Sequence, residues 1–270
     1  MTDSPEFVAL KQRMKSTWMA GDFGQIARIA ERSAEEFVSR LALQPGMRVL
    51  DVACGTGNQS IPAARSGADV IGIDIAPNLL EQARERAQNE NLKITFVEGD
   101  AEQLPYDAAQ FDVVLTMFGA MFAPRPERVA SEFLRVCRPG GLIAMGNWTP
   151  GGFVGRSFAL TSRHVPPPQG VAPPVLWGDE SVVAERFGDR VQLQMARRMM
   201  HFDFPYGPAK VVELFRTYFG PTKMAFERLD ENGRKAMQDD LIRLWEEHNE
   251  ATDGRTVVDA EYLEVHARPS

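Results

Sequence analysis

Cysteine is scarce in this chain of 270 residues: Cys54 and Cys137 are the only two, with no CxxC pair and no Cys/His cluster. A structural zinc site needs four convergent thiolates or imidazoles, so neither a metal nor a disulfide framework is expected. Uncharged apolar runs are too short to span a bilayer, and the first sixteen residues lack the apolar stretch of a signal peptide. The expectation is a cytoplasmic protein that makes no use of a membrane. Positive charge is also in short supply. The formal net charge is -7 and the pI about 5.3. Lys11, Arg13 and Lys15, and the pair Arg197 and Arg198, read as solvated faces rather than a phosphate track, so no nucleic-acid partner is expected.

What is present is ordinary for a globular chain: 44% hydrophobic and 25% charged residues, enough for a substantial core. The length suits one large α/β domain with an embellishment. Segment 5–43 reads as helices, with apolar Phe37, Val38 and Leu41 at helical spacing opposite Glu35, Glu36 and Arg40. Pro45-Gly46 breaks that pattern, and short β-rich runs then alternate with amphipathic helices. Strands are expected at 48–52, 69–74, 94–97, 111–117 and 142–148, with helices at 58–65, 77–91 and 126–136 and a turn at 138–141. Such alternation implies a parallel sheet covered on both faces. After Trp148 a helical stretch, a proline-rich connection at 165–178, a strand at 191–204, helices at 208–218 and 229–249 and a closing strand at 257–267 are expected. The implied layout is an N-terminal helical lid (1–44), a ligand-binding core (45–149) and an acceptor-side insertion with completing strands of the same domain (150–270).

Three acids carry the chemistry. The strand ending VLDVA runs into Cys54-Gly55-Thr56-Gly57, a loop whose glycines allow tight turning and close backbone approach to a ligand. The third glycine of the dinucleotide fingerprint is replaced by Ser60. Asp51, just before the loop, would sit badly beside a pyrophosphate but suits a ligand carrying an ammonium and a sulfonium, which is S-adenosylmethionine. Asp74 ends the second strand, placed to accept from ribose hydroxyls, and Asp100 follows the third, placed to accept from an adenine amine, with the Ala101 N–H for a ring nitrogen. One acid after a strand is usually a cap or turn residue. Three in register around a glycine loop are hard to leave to capping.

The block VLDVACGTGN, GIDIAPNLL, EGDAEQLPY, FDVV and RPGG, from about Arg48 to Trp148, resembles the class I S-adenosylmethionine-dependent methyltransferases, particularly the ubiquinone/menaquinone-biosynthesis-like members. The resemblance implies an α/β Rossmann-like sheet of seven mostly parallel strands, the last antiparallel, with helices on both faces. It implies that Asp51 and the loop from Ala53 through Gly55 and Gly57 to Asn58 hold the methionine part, that Asp74 binds ribose with Ile75 on the adenine, and that Asp100, Ala101 and Glu102 flank the base. Thr116, Met117 and Phe118 would lie near the methyl-donor end, and Trp18 and Phe23 would reach the cofactor from the lid. The Asn/Asp-Pro-Pro-Tyr/Phe run of amino-methylating enzymes is absent, the fourth strand ending Thr116-Met117-Phe118-Gly119.

The expected reaction is methyl transfer to a small-molecule acceptor through O, N or C, by a monomer or homodimer, leaving S-adenosylhomocysteine. Such an in-line displacement depends above all on alignment. Phe118, Met121, Phe122, Trp148 and Trp177 are candidates for an apolar acceptor pocket. A hydroxyl acceptor would need a base, for which His164 leads, with His201 and Glu102 behind it; His248 and His266 look peripheral. Two alternatives stay open: a non-methylating S-adenosylmethionine-binding protein and, against the evidence of Asp51, a nicotinamide-dependent oxidoreductase.

Overall fold

A computed structural model describes residues 4–168 and 170–270. Helices α1 (Pro5–Met19), α2 (Phe23–Ala27) and α3 (Glu31–Arg40) precede the sheet. Ser4 caps α1, its hydroxyl accepting from the Phe7 N–H, and Asp22 caps α2 by accepting from Gly24 N–H. Then β1 (Arg48–Val52), α4 (Ser60–Arg65), β2 (Asp69–Asp74), α5 (Pro77–Asn89), β3 (Ile94–Glu98), β4 (Phe111–Met117), α6 (Pro126–Val136) and β5 (Cys137–Trp148) alternate, as the change of periodicity predicts. Pro77 and Pro126 each open a helix where the missing N–H has no intrahelical partner to lose.

The C-terminal part supplies α7 (Phe153–His164), α8 (Glu180–Phe187), β6 (Val191–Phe204), α9 (Pro208–Tyr218), α10 (Gly220–Glu227), α11 (Glu231–His248) and β7 (Thr256–Pro269). All seven strands form one sheet in the order β3-β2-β1-β4-β5-β7-β6. Strands β1 to β5 are mutually parallel, and β7 runs antiparallel to both neighbours, β5 and β6. The winding reverses between β1 and β4. At that switch point the flanking loops splay apart, and crevices of open α/β sheets form at the carboxyl ends of the strands.

Three local expectations are corrected. The turn at 138–141 is absorbed into β5: the pairing jumps from Phe111–Cys137 to Val113–Leu142, and Gly140 takes φ +68° at the bulge. Helix α8, capped by the Asp179 carboxylate on Ser181 and Val182 N–H, was not anticipated. Nor was α10, where Gly220-Pro221 opens a helix instead of breaking one. In the proline-rich segment, Pro174–Gly178 forms a 3₁₀ turn and the flanking described residues have no regular structure; Gln169 lies outside the described residues. Among the described residues no helix is long and apolar enough to cross a membrane.

Candidate active site

A cavity of about 640 Å³ opens at the carboxyl edge of the sheet. Strand ends set its polar wall. The β1 loop contributes Ala53, Cys54, Gly55, Thr56 and Asn58, β2 contributes Asp74 and Ile75, and the end of β3 contributes Glu98, Asp100 and Ala101. Ala53 and Phe118, directly after β1 and β4, both take the left-handed conformation (φ +56° and +60°), and both face the cavity. Strain of that kind in non-glycine residues persists only where surrounding structure enforces it. Gly119 is part of the enforcement, since a Cβ there would lie 2.5 Å from the Ala53 carbonyl oxygen.

Asp74 is fixed by the backbone. Its Oδ2 accepts from Gly55 N–H at 2.9 Å and its Oδ1 from Ala76 N–H at 2.8 Å. Burial nevertheless holds its carboxyl above the usual range. Each oxygen keeps a second lone pair for a ligand hydroxyl. Asp100 accepts from Glu102 N–H and pairs with Lys11 of α1. Lys15, one turn later, pairs with Glu98. Helix α1 is thus fastened to the polar wall by two lysines, a detail that the reading of 11–15 as a solvated face missed; their i, i+4 spacing was the available signal.

The second wall is aromatic. Trp18 sits edge-on to Phe122 at 4.9 Å and to Phe219 at 5.9 Å, linking α1 to the end of α9 and the 3₁₀ turn after β4. Phe118 stacks on Trp148 at 3.7 Å with a 4° interplanar angle. Beyond them Phe153, Phe202, Phe215 and Trp245 pack against one another and border the same cavity. None of these four was singled out from the sequence.

Of the expected site residues, the structure brings Trp18, Phe23, Ala53, Gly55, Asn58, Asp74, Ile75, Asp100, Ala101, Met117, Phe118, Phe122 and Trp148 to this one cavity. Asp51, Gly57, Glu102, Thr116, Met121, Trp177 and His164 are placed off its wall, for separate reasons. Asp51 is wholly buried; its Oδ2 accepts from the Ser60 hydroxyl at 2.5 Å, and its Oδ1 has no partner. Burial, with a smaller push from Asp74, moves its carboxyl up to about 7. Gly57 takes φ +83° in the turn, where a Cβ would meet Ala83 and Phe96 at 3.4 Å, and Thr116 accepts from Ala120 N–H. Glu102 is enclosed between Lys11 and Arg125, each 2.7 Å away. Met121 and Trp177 are core, the latter beneath the Arg186 guanidinium. His164 is drawn to Asp240 of α11 at 2.9 Å. His201 is thrown to the opposite face by strand alternation, since its neighbours Met200 and Phe202 line the cavity, and it pairs with Asp259.

The residues present fit a ligand with a cationic and hydroxyl-rich part. Asp74, Glu98 and Asp100 line the polar wall with carboxylates, and the Gly55 backbone is bare enough that a Cβ would meet only Phe23, at 3.8 Å. No cluster of potential metal ligands occurs among the described residues.

Comparison with known proteins agrees with this geometry. Residues 49–141 match a methyltransferase domain family. An uncharacterized protein, Rv1405c, of Mycobacterium tuberculosis is 35% identical over 267 residues, covering 97% of this chain and 96% of its own. The demethylmenaquinone methyltransferase of Renibacterium salmoninarum is 37% identical over 112 residues, 42% of this chain and 46% of that protein. Among solved structures, a putative methyltransferase from Bacillus halodurans superposes with a TM-score of 0.61 at 19% identity, covering 88% of this chain and 99% of that one, and so shares the fold. A phosphoethanolamine N-methyltransferase of Haemonchus contortus, solved with S-adenosyl-L-methionine, does so with a TM-score of 0.54 at 18% identity, over 88% of this chain and 53% of that one. With the acids and glycine loop gathered at the switch point of a seven-stranded sheet, residues 49–141 belong to a methyltransferase domain family, of the class I S-adenosylmethionine-dependent kind.

Proposed function

We propose that this enzyme binds S-adenosylmethionine against the carboxyl ends of β1–β3 and methylates a small, apolar acceptor held by the aromatic wall. One observation carries the reading: a single cavity joins the acid-lined strand ends to a chamber walled by aromatic rings. A cofactor with a charged, hydroxylated end and an acceptor without either would partition between those walls. The cofactor, when bound, supplies a methyl group made electrophilic by a sulfonium.

The chain's own residues bind, orient and exclude water. Asp74, with both oxygens anchored by backbone N–H groups, offers ribose hydroxyls a carboxylate already in place. Asp51, buried behind the glycine loop, braces the start of α4 by accepting from the Ser60 hydroxyl. Asp100 and Ala101 line the place expected for the base, where Lys11 pairs with the same carboxylate. Trp18 closes over the cavity from α1, and Phe118 and Trp148 present a flat stacked pair to the acceptor side. In this reading residues 1–44 cover the site, 45–149 hold the cofactor and 150–270 shape the acceptor chamber of a cytoplasmic enzyme acting on small molecules.

Isothermal titration with S-adenosylmethionine and, separately, with NADH tests the proposal. Micromolar binding of the first alone is expected, weakened about tenfold or more by Asp74→Ala in protein whose circular dichroism is unchanged. Binding of NADH alone would sink it.

A further inference from the structure

The two walls differ in one chemical respect. Every ionisable side chain among the described residues of the cavity lies on α1 or at the ends of β1–β3: Lys11, Lys15, Cys54, Asp74, Glu98 and Asp100. The chamber formed by α7, β6, α9, α10 and α11 has none. Its polar side chains are the hydroxyls of Ser157, Thr161 and Thr222 and the indole of Trp245, set among phenylalanine rings. The ionisable groups behind that wall are turned away. His248 lies beyond the Phe153 ring (5.4 Å), with Nδ1 2.9 Å from the Leu244 carbonyl and Nε2 beside Arg156. Tyr262 lies beyond Phe118, its hydroxyl accepting from Arg40 at 3.0 Å, and His164 is held by Asp240.

A general base must come within hydrogen-bond reach of the proton it removes, directly or through one water. The chamber offers no such group. We propose that the acceptor is an apolar aromatic molecule bearing an acidic hydroxyl or thiol, which gives its proton to water before reaction, so that no side chain of this protein deprotonates it. This rests on the methyltransferase reading above. A lone pair of the acceptor anion forms the new bond to the methyl carbon, while the carbon–sulfur bond breaks and its electron pair stays on the former sulfonium sulfur. Anion and sulfonium become two neutral products, and no proton moves in the step. An unpaired anion is costly in an aromatic chamber. The sulfonium offsets that cost, so the anion enters well only after the cofactor.

4-Nitrophenol and 4-nitrothiophenol, with 4-methoxyphenol and benzyl alcohol as less acidic isosteres, are the probes. Nitrophenol absorbance reports ionisation directly, independently of turnover. In the S-adenosylmethionine complex the bound probe's pKa is expected to fall below its value in water, and in the S-adenosylhomocysteine complex to rise above it. The acid limb of kcat/KM should move with the pKa of each acceptor, and benzyl alcohol should react slower by about a hundredfold or more. Filling the chamber with Ser157→Trp should weaken nitrophenol binding about tenfold or more while leaving S-adenosylmethionine affinity within about twofold. A single acid limb shared by all acceptors, a probe bound neutral beside S-adenosylmethionine, turnover of benzyl alcohol at a similar rate, or no acceptor binding by protein that still binds S-adenosylmethionine would each overturn the inference. Failure to bind S-adenosylmethionine at all would instead overturn the reading it rests on.

Discussion

At the scale of single residues, Asp51 is the most exposed to a change of pH in its energetics, although it touches no solvent. Its carboxyl is pushed up to about 7 by burial, whereas an unfolded aspartate titrates near about 3.9. Between those values the native protein holds a proton the unfolded chain has released, so stability is full at low pH and declines as pH rises through the window. The difference corresponds to about 4 kcal/mol. Asp51→Asn, which cannot ionise but can still accept from Ser60, should match the parent near pH 4 and exceed it by a few kcal/mol at pH 8 in urea melts. A parent whose stability rises between pH 4 and pH 8 would contradict the buried, unpaired carboxylate. Ala53 makes a second residue-scale case. Its left-handed backbone is unfavourable for any side chain, so Ala53→Gly should stabilise by about 0.5–1 kcal/mol. Gly119→Ala should destabilise, because its new Cβ meets the Ala53 carbonyl. Thermal melts of the two variants should shift in opposite directions.

Among the elements, α1 stands apart because none of its residues is buried. It stays in place through Lys11 and Lys15, the Arg125 guanidinium 3.8 Å over the Phe7 ring, and the edge contacts of Trp18. Partly exposed ion pairs contribute little each and are screened by salt. The pair Lys11→Gln and Lys15→Gln should therefore speed hydrogen exchange of α1 amides by about tenfold while the protection of β1 and β4 holds; equal loosening of both would show that α1 is no separate unit. The elements also show what the sequence could and could not reveal. Strands β1 to β4 and the body of β5 were legible because β-branched runs are bracketed by Pro45-Gly46, Gly67 and Pro77, while the bulged start of β5 at RPGG reads as a turn. Helices α8 and α10 were not legible: each has only eight residues, too few for a helical period to stand out. Register alone placed Asp74 and Asp100 at strand ends, and both line the cavity. The aromatic wall was legible only in part: Phe118, Phe122 and Trp148 could be named, but Phe153, Phe202, Phe215 and Trp245 could not, since the amphipathic patterns of α7 and α11 mark an apolar face without saying which faces meet. Asp51 was expected to face the ligand's methionine part, whereas it is buried behind the loop, a placement that depends on packing no spacing rule expresses.

For the molecule as a whole, β7 is the strand on which closure depends. It sits between β5 and β6, pairing with residues 143–148 on one side and the full length of β6 on the other. A chain ending at residue 255 would expose two long strand edges and leave Trp148 and Phe202 without their sheet neighbour. It should be recovered as aggregate rather than as a folded core, as solubility and circular dichroism would show. A soluble, folded product would mean that β1–β5 are self-sufficient. The arrangement of tryptophan has a different consequence. Trp18, Trp148 and Trp245 all border the cavity, and the fourth, Trp177, is sealed in the core. The protein therefore carries its own optical reporter: ultraviolet emission should shift or quench when either compartment fills. With Trp177→Phe the remaining signal would come entirely from the walls of the site, so that arrival at the lid, at the stacked pair and in the chamber could be timed without any label.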